Sequence, residues 1–245
     1  MKNYVKSIQS RSKKLINFLA WEFRKRNQVI EKKYVSAYLR CNRIRKLNIG
    51  CGGKRLSGWL NSNYQSRREG VIFLDATKRF PIADGEIDYI YSEHMIEHIP
   101  HGKGIDMLKE CYRVMREGGV IRISTPDLMF LIKIYGNNRT KIEQKYIEWS
   151  MAAIPCCVKS CDDTFVINNY VRDWGHQFIY DEKTLQVSLE YVGFTNVKRK
   201  EFNISKYDAL SNLESEDRMP EGFLQLESLI IEGVKPRLSD SESTF

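Results

Sequence analysis

Glycine and proline are scarce in this 245-residue chain, 15 and 6 respectively, and no segment repeats at a fixed period. That argues against disordered, collagen-like and repeat architectures. No apolar run near the N-terminus approaches the roughly 20 residues that a membrane-spanning helix needs. The longest, Leu15 to Trp21, contains Asn17 and meets Glu22. It also lacks the small-residue cleavage site of a secretory signal. The six cysteines, at 41, 51, 111, 156, 157 and 161, form no Cys-x-x-Cys pair. In a chain of this length they predict reduced thiols in a cytoplasmic protein rather than a disulfide framework.

Charge is unevenly spread. Residues 1–46 hold 14 Lys and Arg against Glu22 and Glu31, a net +12, while the whole chain is only +8. The remainder is therefore net acidic, which disfavours a nucleic-acid-binding domain. Leu15, Leu19 and Phe23 recur every four residues, as do Ile30, Tyr34 and Tyr38, and no Pro or Gly interrupts residues 1–49. Residues 1–45 thus read as a basic amphipathic helical arm. Two readings stay open: a surface helix that meets the anionic cytoplasmic face of a membrane, or a helix packed on the domain with solvated lysines.

From residue 46 the pattern becomes α/β. Short strands are expected at Lys46–Ile49, Trp59–Asn63, Val71–Leu74, Ile87–Tyr91 and Val120–Ser124. A helix through Ile105, Leu108, Cys111, Tyr112 and Met115 is expected to stop at Gly118-Gly119. Residues 128–172 read as a helical insertion after the fifth strand, with helices at Leu128–Tyr135 and Ile142–Ala153. Asp181 opens a helix that Gly193 ends, and strands at Phe194–Phe202 and Leu229–Val234 close the domain. Strands alternating with helices predict a mostly parallel sheet covered on both faces. The last strand, with no clear helix before it, is expected to turn back antiparallel. The domain spans 46–236, and 237–245 is a polar tail.

Glycines directly after the first strand, in Leu47-Asn48-Ile49-Gly50-Cys51-Gly52-Gly53, allow a sharp turn and close backbone approach to a ligand. No Gly-Lys-Ser/Thr follows, so this is not the phosphate loop of nucleotide hydrolases. The stretch from Gly53 to Asn63 includes Gly58, leaving no room for the long helix of a dinucleotide-binding unit. The segments LNIGCGGKRLSGWLNSN, FLDATKRFPIADGEIDYIYSEHMIEHI and LKECYRVMREGGVIRISTPDL resemble a class I S-adenosylmethionine-dependent methyltransferase. The likeness is to a branch associated with bacterial surface-polysaccharide synthesis. It covers about residues 46–130 and resumes at HQFIYDEKTLQVSLEYVGF and LESLIIEGVK.

The resemblance implies a Rossmann-like sandwich that binds S-adenosylmethionine. Gly50, Cys51 and Gly52 would lie against its amino-acid and ribose parts. Asp75, with Ala76 beside it, would accept a hydrogen bond from the adenine amino group. Glu93 and His94 would line the site. Asn63 stands where the family usually carries the acid that holds the ribose hydroxyls, and Asn48 where many relatives have an acid before the glycines. Both replacements are neutral. They leave a non-catalytic scaffold with this fold as the rival reading, while an RNA methyltransferase draws support only from the basic arm.

Glu93 to His98 contains His-x-x-Glu-His, similar to an inverted zinc-protease string. No third ligand is evident and Pro100 ends the segment, so no metal is expected. Glu97 and His98 would face the acceptor or support the site. His176 follows the insertion, which is expected to shape the acceptor pocket. A histidine suits proton removal near neutral pH, so His176 is the expected general base, with Asp173 orienting it and His98 as the competitor. Pro155-Cys156 is similar to the nucleophile dipeptide of cytosine methyltransferases but lies in the insertion rather than after the fourth strand. Cys156, Cys157 and Cys161 make a poor chelate. The acceptor is expected to be a small molecule or glycan, most naturally a sugar hydroxyl.

Overall fold

The computed structural model describes residues 31–64, 69–136, 138–154 and 162–237. Seven strands form one sheet in the order β3-β2-β1-β4-β5-β7-β6. They are β1 (Lys46–Ile49), β2 (Leu60–Asn63), β3 (Val71–Phe73), β4 (Ile87–Glu93), β5 (Met115–Pro126), β6 (Thr195–Arg199) and β7 (Ser228–Val234). The pairs among β1 to β5 are parallel, and β7 is antiparallel to both β5 and β6. Strand β6 therefore points the same way as β5, and residues 200–227 emerge at the carboxyl ends of the strands, the end where open α/β sheets bind ligands.

Residues 31–41 form helix α1. Its buried face is Val35 with Tyr38 and Leu39 packed beside it, while Tyr34 is exposed. The face is thus offset from the expected Tyr34–Tyr38 stripe, because Tyr38 turns inward to donate to the carbonyls of Lys46 and Gly58. Leu15, Leu19, Phe23 and Ile30 lie outside the described residues.

Helix α2 (His101–Val114) buries Met107, Leu108, Cys111 and Val114 against the sheet. Its end corrects the expectation from Gly118-Gly119. The helix stops at Val114 and the chain enters β5 directly, so both glycines lie in the strand. Gly118 has a φ of 75°, and a Cβ on Gly119 would sit 2.9 Å from the Arg116 carbonyl.

The insertion holds α3 (Leu128–Ile134), α4 (Lys141–Ala153) and α5 (Asp163–Arg172). Thr140 and Glu143 form a capping box at the start of α4, which satisfies two backbone donors reciprocally. Pro155, Cys156, Cys157 and Cys161 fall outside the described residues, as does the tail from 238. Helix α6 (Glu182–Val192) is capped by Asp181 and ended by Gly193 at a φ of 111°. Helices α2 and α6 cover one sheet face.

No helix connects β1 to β2. The opposite face is covered instead by a strap from the β6–β7 connection, whose Leu210 and Leu213 pack on Trp59, Tyr91 and Val120. The strap is fastened by the buried Arg122 of β5, paired to Glu214 and to Glu232 of β7. Helix α7 (Phe223–Glu227) then leads into β7.

Candidate active site

The carboxyl ends of β1 to β4 carry the first half of the site. Gly50 and Gly52 turn the chain at φ values of 71° and 52°, where a side chain is strained. They serve different ends. A Cβ on Gly50 would overlap Met95, whose own Cβ lies 2.8 Å away, whereas among the described residues nothing lies within 4 Å of a Cβ on Gly52. Gly50 thus lets the segment after β4 close on the turn, and Gly52 borders open space. Gly50→Ala is expected to cost about 1–3 kcal/mol from overlap beyond the backbone strain that Gly52→Ala shares, as measured by urea unfolding.

Cys51 is buried and its backbone donates to the Ser62 carbonyl at 2.9 Å. Asn48 is also buried. Its amide donates to Asn61 Oδ1, which also accepts from the Leu56 backbone. The neutral Asn48 therefore braces the exit of the glycine turn through Asn61, a task for which a charge is not needed. Asn63 ends β2, half buried. Beyond β3, Asp75 Oδ1 accepts from the Thr77 backbone and hydroxyl, while Oδ2 has no partner among the described residues. Ala76 beside it is buried.

Glu93, at the end of β4, is met by the strap: the Ser215 backbone donates to it at 3.3 Å and the Arg218 guanidinium lies 3.6 Å away. Burial pushes its carboxyl up against the pull of Arg218. Lys54, after the glycines, donates to the Leu213 carbonyl. The strap thus reaches the glycine turn, and the residues that follow it, Met219 and Phe223, pack on the insertion helices. Its polar sequence has no helical or strand period, so sequence reasoning missed Ser215 and Arg218.

These residues fit S-adenosylmethionine. The space beside Gly52 is the kind of cradle that a Cβ would begin to fill, and Asp75 Oδ2 is an acceptor without a donor among the described residues. A half-buried carboxylate at Glu93 suits the polar end of the cofactor.

The second half of the site is a histidine cluster. Residues Ile96–His98 form a single 3₁₀ turn, and the chain leaving α5 zips onto it: the Gln177 and Phe178 backbones donate to the Glu97 carbonyl, and the Gln177 side chain donates to that of His98. His98 and His176 are thereby brought together, with ring centroids 4.9 Å apart. The two residues that the sequence treats as competitors occupy one place.

Asp173 does not orient His176. Its side chain is exposed, and the His176 ring donates from Nδ1 to the Tyr170 carbonyl at 2.7 Å. The His98 ring lies beside the turn at Trp174 and Gly175, where both residues have positive φ. Burial lowers the pKa of both imidazoles.

Glu97 is fully buried beneath them. Its Oε2 accepts from the Thr125 hydroxyl at 3.1 Å, and burial pushes its carboxyl up to about 8. His94, at a φ of 45°, points away from the glycine turn and shares a hydrogen bond with the Ser228 hydroxyl; burial holds it neutral, with its pKa lowered to about 3. A further buried group, Glu227, accepts from the Tyr146 hydroxyl at the root of the insertion. Nothing in the local sequence distinguishes Glu227 from a surface carboxylate.

A family model described as a methyltransferase domain matches residues 9–199. No curated protein matches the chain. Solved structures similar to it include a SAM-dependent methyltransferase from Archaeoglobus fulgidus, at 21% identity over 85% of this chain and 94% of that one, with a TM-score of 0.47. Another is the YcgJ protein of Bacillus subtilis, at 12% identity over 84% and 99%, TM-score 0.45. A third is phosphoethanolamine N-methyltransferase 2 of Haemonchus contortus in complex with S-adenosyl-L-methionine, at 12% identity over 79% and 49%, TM-score 0.41. The family match spans most of the chain, which belongs to the methyltransferase-domain family and takes S-adenosylmethionine as its cofactor.

Proposed function

We propose that the chain methylates a hydroxyl of a small-molecule or glycan acceptor, most naturally a sugar hydroxyl in polysaccharide biosynthesis. The observation that carries this reading is the pair His98 and His176, with ring centroids 4.9 Å apart, where the segment after β4 meets the chain leaving the insertion. In His176, Nδ1 is committed to a backbone carbonyl, so Nε2 keeps its lone pair for a proton.

Bound S-adenosylmethionine supplies an activated sulfonium methyl and leaves as the thioether. The chain's tasks are alignment and proton removal. Gly50, Cys51, Gly52, Asn63, Asp75, Ala76 and Glu93 are assigned to the cofactor, His94 to the wall between the two halves, and His176 with His98 to the acceptor proton. Alignment alone can lower a barrier by about 7–11 kcal/mol. The insertion is assigned to the acceptor pocket.

Residues 1–45, with their excess of positive charge, are assigned to peripheral contact with an anionic membrane surface at the cytoplasmic face. Among the described residues no helix is long and apolar enough to cross a membrane. A non-catalytic scaffold remains the second reading because Asn63 is neutral at the ribose position.

Incubation of the full chain with methyl-labelled S-adenosylmethionine and a panel of sugars, nucleotide sugars and RNA tests the proposal. Label is expected as an alkali-stable ether on a sugar. Label in RNA, or saturable cofactor binding without turnover on any acceptor, contradicts it.

A further inference from the structure

We propose that Glu97, His98 and His176 form a binding site for one divalent first-row transition ion, zinc(II) by ligand chemistry. One atom from each of the three residues lies within 4.8 Å of the others. His98 Nε2 is 3.9 Å from Glu97 Oε1. Ligands of a tetrahedral zinc ion at 2.0–2.1 Å are about 3.3 Å apart, so small side-chain adjustments close the set.

The orientation of the rings argues for ligation more strongly than proximity does. Metal-binding histidines donate their other ring N–H to a carbonyl or carboxylate, which fixes the tautomer and presents the free nitrogen. His176 is held in that manner, with Nδ1 on the Tyr170 carbonyl at 2.7 Å, and the His98 ring packs edge-on against it with its Nε2 turned to Glu97. The third ligand is supported in the same way, since Glu97 Oε2 accepts from Thr125.

Glu97 Oε1 is fully buried and has no hydrogen-bond partner among the described residues; its neighbours are His94 Nδ1 at 3.6 Å and His98 Nε2 at 3.9 Å. An orphaned carboxylate oxygen is costly, and an ion between it and two imidazoles would satisfy it. Two imidazoles and one carboxylate suit zinc and its neighbours, whereas magnesium and calcium prefer oxygen. The ion would not be enclosed: the His98 side chain keeps 38% of its exposure, so a coordination position stays open toward solvent and the acceptor. The sequence string predicted no metal; in the structure its His94 turns to Ser228, and His176 arrives from beyond the insertion beside Glu97 and His98.

The proposal concerns the residues assigned to proton removal but does not require that role. An acceptor hydroxyl on a divalent ion sheds its proton near neutral pH, the same task that the free imidazoles perform without metal.

The test uses the full chain, stripped with a chelator and dialysed. It is titrated with zinc(II) by calorimetry and with cobalt(II) by visible absorption, without methyl donor or acceptor. One equivalent is expected, with the absorption of a four- or five-coordinate nitrogen and oxygen site. Glu97→Gln and His176→Ala are each expected to weaken binding by at least about 10- to 100-fold, the loss seen when only an outer partner is removed. His101→Ala, whose ring contacts Ser188 instead, should leave it unchanged. No saturable binding by the folded wild-type chain overturns the proposal. So does a thiolate charge-transfer band, or affinity unchanged in both ligand variants. Methyl transfer that survives such a result retains the function proposed above, and metal binding without transfer removes that function while retaining the site.

Discussion

Arg122→Ala is expected to lower the unfolding free energy by about 3–5 kcal/mol, the cost of leaving buried charges without their partner. All five guanidinium donors are engaged. Nε and Nη2 make a bidentate pair with Glu214 at 2.7 and 3.0 Å, and Nη1 donates to Glu232 at 2.8 Å. The remaining bonds go to the carbonyls of Ile204 and Glu201. Removing the side chain takes the cation from two buried carboxylates at once, leaving Glu214 only the Asn203 backbone and the Glu201 carbonyl only the Ile204 backbone.

The strap held by this network also carries Ser215 and Arg218 to Glu93, so the loss should loosen the cofactor side. Urea unfolding checks the first effect. A change below about 1 kcal/mol would mean that the strap is fastened by Leu210 and Leu213 alone. Replacing Arg122, Glu214 and Glu232 together with apolar residues of similar size should recover most of the loss, because a well-packed apolar substitute for a buried ion network is often neutral or better.

The largest kinetic effect is expected at the histidine pair. His176→Ala should lower the methyl-transfer rate about 10²- to 10⁴-fold, the range for loss of a positioned base. His98→Ala should be comparable, and the double variant little worse than either, because groups acting as one unit are not additive. Cofactor affinity should change little, since both rings stand apart from Gly50, Gly52 and Asp75. Single-turnover rates with saturating cofactor separate these cases. A loss in His98→Ala alone would move the role to His98. Near-normal rates in both would leave transfer to alignment, with solvent taking the proton.

Much of this arrangement was legible in the sequence, and the failures share a cause. The glycine turn, the strand sequence through β5, the antiparallel last strand and the Asp181–Gly193 helix all rest on local rules: period, caps and glycine. Strap residues 200–218 have no such period, because their stability comes from Arg122, which reads in the chain as an ordinary charged residue between isoleucines. Asp173 misled because the true partner of His176 is a backbone carbonyl, which has no sequence signature.

The Tyr34 register failed for a similar reason, since Tyr38 is turned inward by carbonyls distant in sequence. Gly118-Gly119 looked like a helix stop because glycine at a positive φ serves a strand distortion as well as a helix end. Glu97 was visible beside His98, but the site proposed for it depends on His176, whose approach is set by the return of the chain from the insertion.

The central claim is that S-adenosylmethionine binds across Gly50–Gly52 and Asp75. Calorimetric titration of S-adenosylmethionine into the full chain and into Asp75→Ala tests it most directly. One equivalent should bind the wild-type chain. Loss of a hydrogen bond to a charged acceptor, worth about 1.5–3 kcal/mol, should weaken binding roughly 10- to 150-fold in the variant. A folded wild-type chain that shows no saturable binding, or a folded Asp75→Ala that binds with wild-type affinity, would contradict the account.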